Sequence, residues 1–431
     1  MQKVNDRVSC CLSRRPNFCR SLASTILERR RTPRLLSFSQ VTSRQPPATN
    51  MALHTDNFIT SKPYTGLQFH SASAPPRLAK LDMPAPTAGT VVVRPLYAIV
   101  VQYANQIFAN GNPRGYKYPL PFVPGGTCVA RVEAVPPDAA RLTPGQLVFV
   151  EMTVRARDDA DTKVLRGFSE GATAGTRRLL AADSPWRNGV WATLATAPLE
   201  GVHALDEEVL VSQLGYRIEE LGALSQLVVP YGGLADIGVK AGETVLIAPA
   251  TGTFGSGAVH IAAAMGARVI AMGRNDEALA KLSQISDRVS TVKISGDVEE
   301  DTKVLARFGP LDVFFDISPA SAKNSSHFQA GIASLRTGGR VSLMGGLRGG
   351  VELPYSQITH KGLTIKGTFM NTAQQARDLI KLIERDILKI GSRSGMEARG
   401  KYRLEEWEEA FSAAAEKSGP GNAVYFTPNV E

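Results

Sequence analysis

From about Tyr216 onward the chain alternates short apolar runs with longer stretches of helical spacing. The strand candidates are 245–248, 269–272, 289–294, 313–317, 340–344 and 363–366. Between them, residues 255–265, 276–285, 299–307 and 321–335 predict helices. Buried strands alternating with helices predict an α/β fold with a doubly wound parallel sheet. Two amphipathic stretches, 374–390 and 405–416, and a short apolar run at 424–427 follow. Residues 51–215 read as β-rich, with apolar runs at 90–101, 128–135 and 146–150 set off by Pro and Gly turns. Residues 154–180 are polar, charged and glycine-rich, and read as an excursion from the core.

One turn in this pattern carries chemistry. After the run ending at Pro249 come Ala250, Gly252, Gly255 and Gly257, then a helical stretch, a stop at Gly266 and the next apolar run. Strand, glycine turn, helix and strand make one βαβ unit with a dinucleotide-binding fingerprint, here AxGxxG. Gly252 allows the backbone to approach a pyrophosphate. Gly255 lets the helix pack on the strand, and Thr253 and Phe254 open that helix. Its free N–H groups and dipole favour phosphate charge. A flavodoxin-like turn without a cofactor is the competing reading.

The next strand predicts which dinucleotide. NAD-binding units usually place a carboxylate at its end to bond the ribose hydroxyls. Here the residues are Gly273, Arg274 and Asn275, and the first acid is Asp276. A guanidinium in place of a carboxylate suits a 2′-phosphate, so the expected cofactor is NADP(H). A solvated Arg274 with no ligand is the alternative.

Charge changes the picture only at the N-terminus. The chain of 431 residues has a formal charge of +9, but ten basic and two acidic residues in 1–50 supply +8 of it. The rest is nearly neutral, which argues against a nucleic-acid surface there. The 1–50 segment is rich in Arg and Ser and poor in acids, as presequences are. Arg34-Leu35-Leu36-Ser37 resembles a processing site. The segment reads as a mitochondrial presequence, which places the protein in the matrix; the competing readings are a disordered tail without function and a translation start at Met51, which leaves the protein cytoplasmic. Three of the four cysteines, Cys10, Cys11 and Cys19, lie in this segment, so Cys128 alone can form no disulfide within the rest. No run of 18 apolar residues occurs, so no membrane span is expected.

The order of parts in residues 51–431 resembles the medium-chain dehydrogenase/reductase superfamily. The segments that carry the resemblance include Pro124-Gly125-Gly126, Leu142-Thr143-Pro144-Gly145-Gln146, Tyr231-Gly232-Gly233-Leu234, Gly338-Gly339-Arg340 and Met344-Gly345-Gly346. Within it the chain is similar to a zinc-free, quinone-oxidoreductase-like branch. That branch includes fungal alcohol-dehydrogenase-like proteins that share Arg155-Ala156-Arg157-Asp158-Asp159. The resemblance implies a β-rich GroES-like barrel domain (51–215, returning at 374–431) around a Rossmann domain (216–373). It also implies a small hydrophobic carbonyl or quinone substrate and a homodimer.

Zinc-dependent members carry Gly-His-Glu where this chain has Gly125-Gly126-Thr127, and Val101-Gln102-Tyr103-Ala104-Asn105 contains no Cys. The family positions thus lack zinc ligands, and no metal is expected. The resemblance implies hydride transfer to an activated C=C, with Tyr103, or more weakly Asn105, as hydrogen-bond donor. Met344, Gly345 and Gly346 are expected to bring backbone groups to the nicotinamide. Phe108, Tyr116, Tyr118 and Phe122 are candidates for a substrate wall, and Tyr231 for packing on the cofactor cleft. His203, His260, His327, His360 and Asp316 read as structural. Two other functions stay open: an alcohol dehydrogenase or ketone reductase on the same fold, and a non-catalytic NADPH-binding partner protein.

Overall fold

A computed structural model describes residues 63–71, 74–82, 86–417 and 419–429, all within one compact unit, 57–431. The Arg/Ser-rich leader, its three cysteines and Met51 lie outside the described residues.

The apolar runs of the second half assemble into a six-stranded, wholly parallel sheet. Its spatial order is Val289–Lys293, Arg268–Gly273, Thr244–Ala248, Leu311–Asp316, Leu335–Leu343 and Thr364–Gly367. In chain order this is 3-2-1-4-5-6, so the winding reverses between Thr244–Ala248 and Leu311–Asp316. A crevice opens at the carboxyl ends of the strands on either side of such a reversal. Pro249 and Ile317, which follow those two strands, both face the cleft described below. Both faces of the sheet are covered, so the middles of its central strands are continuous apolar runs rather than alternating.

A second sheet of seven strands is built around the long strand Thr90–Val100. Cys128–Ala134, Leu147–Val150 and Val202–Ala204 extend it on one side. Asn422–Phe426 and Glu397–Tyr402 extend it on the other, and Ala195–Pro198 pairs with the long strand as well. Residues near the C-terminus thereby complete a sheet begun near residue 90. Phe411 and Phe426 pack on Trp191, with ring centroids 5.5 and 5.0 Å away. The helix Ala373–Glu384 instead buries Ala376, Leu379, Ile380 and Ile383 in the cluster containing Val245 and Phe315.

The structure departs from the sequence pattern in two places. Residues 154–180 are not simply outside the core. They form a hairpin, Thr153–Arg155 with Lys163–Leu165, and a helix, Ala174–Leu179, whose cap Thr173 accepts from the Thr176 N–H at 3.1 Å. Val154, Val164 and Leu180 bury against one another, and Arg166 is 0% exposed. The second departure is the helix Leu224–Asp236, which contains Pro230 and Gly232-Gly233 and was not predicted. An internal proline costs a helix about 3 kcal/mol. Burial of ten of its residues against the helix Thr253–Ala264 and its neighbours offsets that cost.

Several charges of 151–159 have structural tasks. Buried Glu151 accepts from Asn371 Nδ2 at 2.6 Å and Arg155 Nη1 at 3.1 Å. His203 Nε2 is 3.8 Å from Glu151, too far for a hydrogen bond. Burial alone would raise the Glu151 carboxyl, but these neighbours hold it below its ordinary value. Arg155 also donates to the Asn371 carbonyl, so it ties down the segment that carries Phe369 and Met370. Arg157 pairs with Glu200 at 3.0 Å.

Glu220 sets an acid limit on stability. Its carboxylate accepts backbone N–H groups of Ser392 at 2.7 Å and Arg217 at 2.9 Å. Burial pushes its carboxyl up, but these bonds overcome that and hold it at about 2. A depressed folded-state value means the stabilisation is complete above the unfolded value of ~4.3 and is lost as pH falls from there toward 2. Glu220→Gln should therefore flatten the loss of stability over that window in urea titrations. An acid slope equal to that of the parent would contradict this account.

Candidate active site

A cleft of about 580 Å³ runs from the carboxyl ends of the parallel strands to the second sheet. One wall is the glycine turn. The helix Thr253–Ala264 starts at Gly252 with no side chain capping it, so its first N–H groups lack intrahelical partners. A Cβ placed on Gly252 meets nothing within 4 Å, which leaves open space above this helix end. A Cβ on Gly255 would lie 2.2 Å from the Pro249 carbonyl oxygen, so helix and strand approach too closely for any other residue. Gly252, Thr253, Phe254 and Gly255 all line the cleft. Ala250 does not: it is buried, and its N–H donates to the Met272 carbonyl at 2.8 Å. Its part is to hold the turn rather than to meet a ligand.

Arg274 lines the cleft at the end of its strand, exposed and without a hydrogen-bond or ion-pair partner among the described residues. Asn275 caps the following helix by accepting from the Ala278 N–H at 2.8 Å. Asp276, the first acid, pairs with Lys293 at 2.6 Å. No carboxylate therefore competes with Arg274 for the ribose end of a dinucleotide.

Met344, Gly345 and Gly346 are also on the wall, but only part of their backbone is available. The Met344 N–H donates to the Asp316 carbonyl at 2.9 Å and the Gly346 N–H to the Ser318 carbonyl at 2.8 Å. Beneath them lies a buried network that sequence reasoning took for ordinary polar residues. The Ser318 hydroxyl donates to Asp316 at 2.5 Å and is 2.8 Å from His327 Nε2. His327 Nδ1 is 2.7 Å from the Ser325 hydroxyl. No motif spacing signals this group, because strand, loop and helix bring it together.

The opposite wall is aromatic. Tyr103 precedes the short helix Ala104–Phe108, and its ring meets Phe168 edge-on at 6.1 Å, with the Arg114 guanidinium 4.1 Å above it. Its hydroxyl has no partner among the described residues. Burial, with a smaller contribution from Tyr116, pushes the phenol well above its ordinary value. Asn105 does not line the cleft, because one turn of helix carries it past the wall. Of the four predicted wall residues, Phe108 and Tyr116 line it. Tyr118 and Phe122 stack on each other behind it at 5.5 Å, and the Tyr118 hydroxyl donates to the Ile107 carbonyl. Phe168 and Trp191 complete the wall. Tyr231 is buried in the core and not on the cleft, whereas Ser225 of the same helix is on it, its hydroxyl buried without a partner.

The charged residues lining the cleft are Arg114, Arg274 and Arg348. None of the lining residues is His, Cys, Asp or Glu. Such a surface favours an anionic ligand. With open space over an uncapped helix end and a free guanidinium, it fits a dinucleotide. It does not fit a catalytic zinc, which takes three N, S or O ligands from His, Cys or carboxylate side chains. Among the described residues no group of three or more such side chains is placed to hold a metal ion.

Residues 254–385 match the family model described as zinc-binding dehydrogenase. The L-threonine 3-dehydrogenase of Anaeromyxobacter dehalogenans (strain 2CP-C) is 24% identical over 67% of this chain and 79% of its own length. The solved structure of AibC superposes with a TM-score of 0.68 at 20% identity, covering 88% of this chain and 99% of that one. The chain shares the α/β fold, with its parallel sheet and β-rich domain, of structures of the medium-chain dehydrogenase/reductase superfamily. Two further oxidoreductases match over shorter spans. The acryloyl-coenzyme A reductase of Sulfurisphaera tokodaii is 25% identical over 43% of this chain and 52% of its own length. Prostaglandin reductase 1 of Mus musculus is 33% identical over 27% of this chain and 34% of its own length. Proteins of this superfamily bind nicotinamide cofactors and act on small molecules. No helix of the described residues is long and apolar enough to cross a membrane.

Proposed function

We propose that this protein is a zinc-independent, NADPH-dependent reductase of activated C=C bonds in enones, quinones or enoyl thioesters, placed in the quinone-oxidoreductase-like branch. The observation that carries the reading is the composition of the cleft wall: an uncommitted phenol at Tyr103 and no His, Cys, Asp or Glu. Alcohol oxidation without a Lewis acid needs a base to take the hydroxyl proton, and the wall has none. Reduction of a conjugated double bond needs stabilisation of negative charge on the carbonyl oxygen as hydride reaches the β-carbon, and the enolate then takes its α-carbon proton from solvent after the hydride step. The short match to a relative named for acryloyl-coenzyme A reduction supports this choice.

The nicotinamide, when bound, supplies the hydride for the β-carbon. The chain's residues do the rest. The orphan N–H groups after Gly252 hold the pyrophosphate, and Arg274 pairs with the 2′-phosphate. Tyr116, Phe168 and Trp191 hold a flat apolar substrate and exclude water. Tyr103 donates its O–H to the carbonyl oxygen as charge develops there. Its raised pKa keeps that proton in place at ordinary pH.

Arg274→Ala tests the cofactor assignment. A hydrogen bond to a charged group contributes about 1.5–3 kcal/mol, so NADPH affinity should fall roughly 10- to 100-fold while NADH affinity barely moves. Equal losses for both in fluorescence titrations would refute the assignment. Product analysis then separates the reaction classes: a saturated ketone for C=C reduction, an alcohol for carbonyl reduction, and no turnover for a binding protein.

A further inference from the structure

A second cavity, of about 690 Å³, shares no lining residue with the cleft. It lies between the later turns of the helix Thr253–Ala264, the end of the helix Asp276–Ser283 and the segments around 389–399 and 420–422. Its volume is in the range of small-molecule sites. Residues 51–431 together carry a formal charge of only +1, yet the charged residues lining this cavity are five cations and Glu397. Glu397 is paired with Arg399 at 3.0 Å, and Arg393 with Asp386 at 2.8 Å. Lys281, Arg288 and Lys389 have no side-chain partner among the described residues. Cations with no partner, gathered at one cavity of a nearly neutral body, repel one another unless an anion joins them.

A second, independent observation comes from the cavity wall. His260 is 6% exposed and lines the cavity, yet neither ring nitrogen has a hydrogen-bond partner among the described residues. The ring nitrogens are not among the fully enclosed unpaired polar atoms, so they open onto the cavity, where such groups meet water or a ligand. Burial holds the imidazole down to about 4, so it is neutral at ordinary pH and offers one donor and one acceptor. Ile387, 52% exposed, adds an apolar surface at the same cavity.

We infer that this cavity is a second ligand site, which takes a phosphate-bearing small molecule of about mononucleotide size. Its phosphate meets Arg288, Lys281 and Lys389, and its body lies between Ile387 and His260. Three unpaired cations exceed what one carboxylate would neutralise, whereas a phosphate group carries close to two charges. The inference does not depend on the reading of the cleft.

The test uses the full chain with its cleft saturated by NADPH or NADH, whichever binds. Calorimetric titrations at low salt use ADP, inorganic pyrophosphate and inorganic phosphate as probes. Saturable 1:1 binding is expected. It should weaken about 10-fold or more in the Arg288→Ala/Lys389→Ala double variant, through loss of charge-assisted bonds at exposed positions. It should be unchanged in Arg274→Ala. Tighter binding of ADP than of pyrophosphate identifies a nucleotide as the occupant, and equal binding identifies the phosphate group alone. The His260 ring resonances, assigned by His260→Asn, should shift with the same affinity. The inference is overturned by no saturation up to roughly 10 mM (about −3 kcal/mol). It is also overturned by equal affinity in the double variant, by loss in Arg274→Ala, or by an unmoved His260 signal.

Discussion

Gly252→Val should abolish cofactor binding and leave the fold intact. The Gly252 backbone is extended, with φ −87°, a conformation open to any residue, and its Cβ direction is empty space. The new methyl groups would occupy only the volume over the helix end where the pyrophosphate is proposed to bind. Each charge-assisted bond displaced there is worth about 1.5–3 kcal/mol, so affinity should fall roughly 100-fold or more for NADPH and NADH alike. The neighbouring glycine is the control. Gly255→Ala puts a Cβ 2.2 Å from the Pro249 carbonyl oxygen, so it should lower the unfolding midpoint as well. Unchanged cofactor affinity in Gly252→Val, measured by fluorescence titration, would mean that the pyrophosphate lies elsewhere.

Tyr103→Phe should lower kcat roughly 100-fold, the usual effect of deleting one donor to a developing oxyanion. Cofactor affinity should not change, because Tyr103 belongs to the aromatic wall and the ring that packs on Phe168 is retained. The parent enzyme should also show a distinctive pH profile. The phenol must be protonated to donate, and burial raises its pKa, so the active plateau extends upward past the ordinary tyrosine value of ~10. A loss of kcat/KM with a midpoint at or below ~10 in the parent, absent from Tyr103→Phe, would assign Tyr103 a lower pKa than this site supports. Full activity in Tyr103→Phe would remove it from the mechanism and turn attention to the Ser225 and Thr127 hydroxyls, which also face the cleft.

Much of the parallel sheet is legible in the amino-acid order because its strands are buried on both faces. The central strands Thr244–Ala248 and Arg268–Gly273 carry unbroken apolar runs, the more exposed edge strands mix polar residues in, and all six runs fall within a few residues of the strands that form. The glycine turn is legible for a similar reason: the close approach of helix and strand admits no side chain at Gly255. The helix Leu224–Asp236 is not legible. Pro230 and the Gly232-Gly233 pair are local signals against a helix, and the contacts that outweigh them come from residues distant in the chain. The same holds for Arg166, whose charge marks it as a surface residue although it is wholly buried.

Local order alone determined the α/β class, the position of the glycine turn and the absence of a carboxylate beside Arg274. Each depends on residues within a few positions of one another, where backbone geometry ties spacing to shape. The tertiary structure alone decided that Tyr103 faces the cleft and Asn105 does not. It also brought Ser318 against His327 and Asp316, and closed a sheet begun at Thr90 with the strand Asn422–Phe426. These follow from how strands, loops and helices pack on one another, and periodicity carries no record of which surfaces will meet.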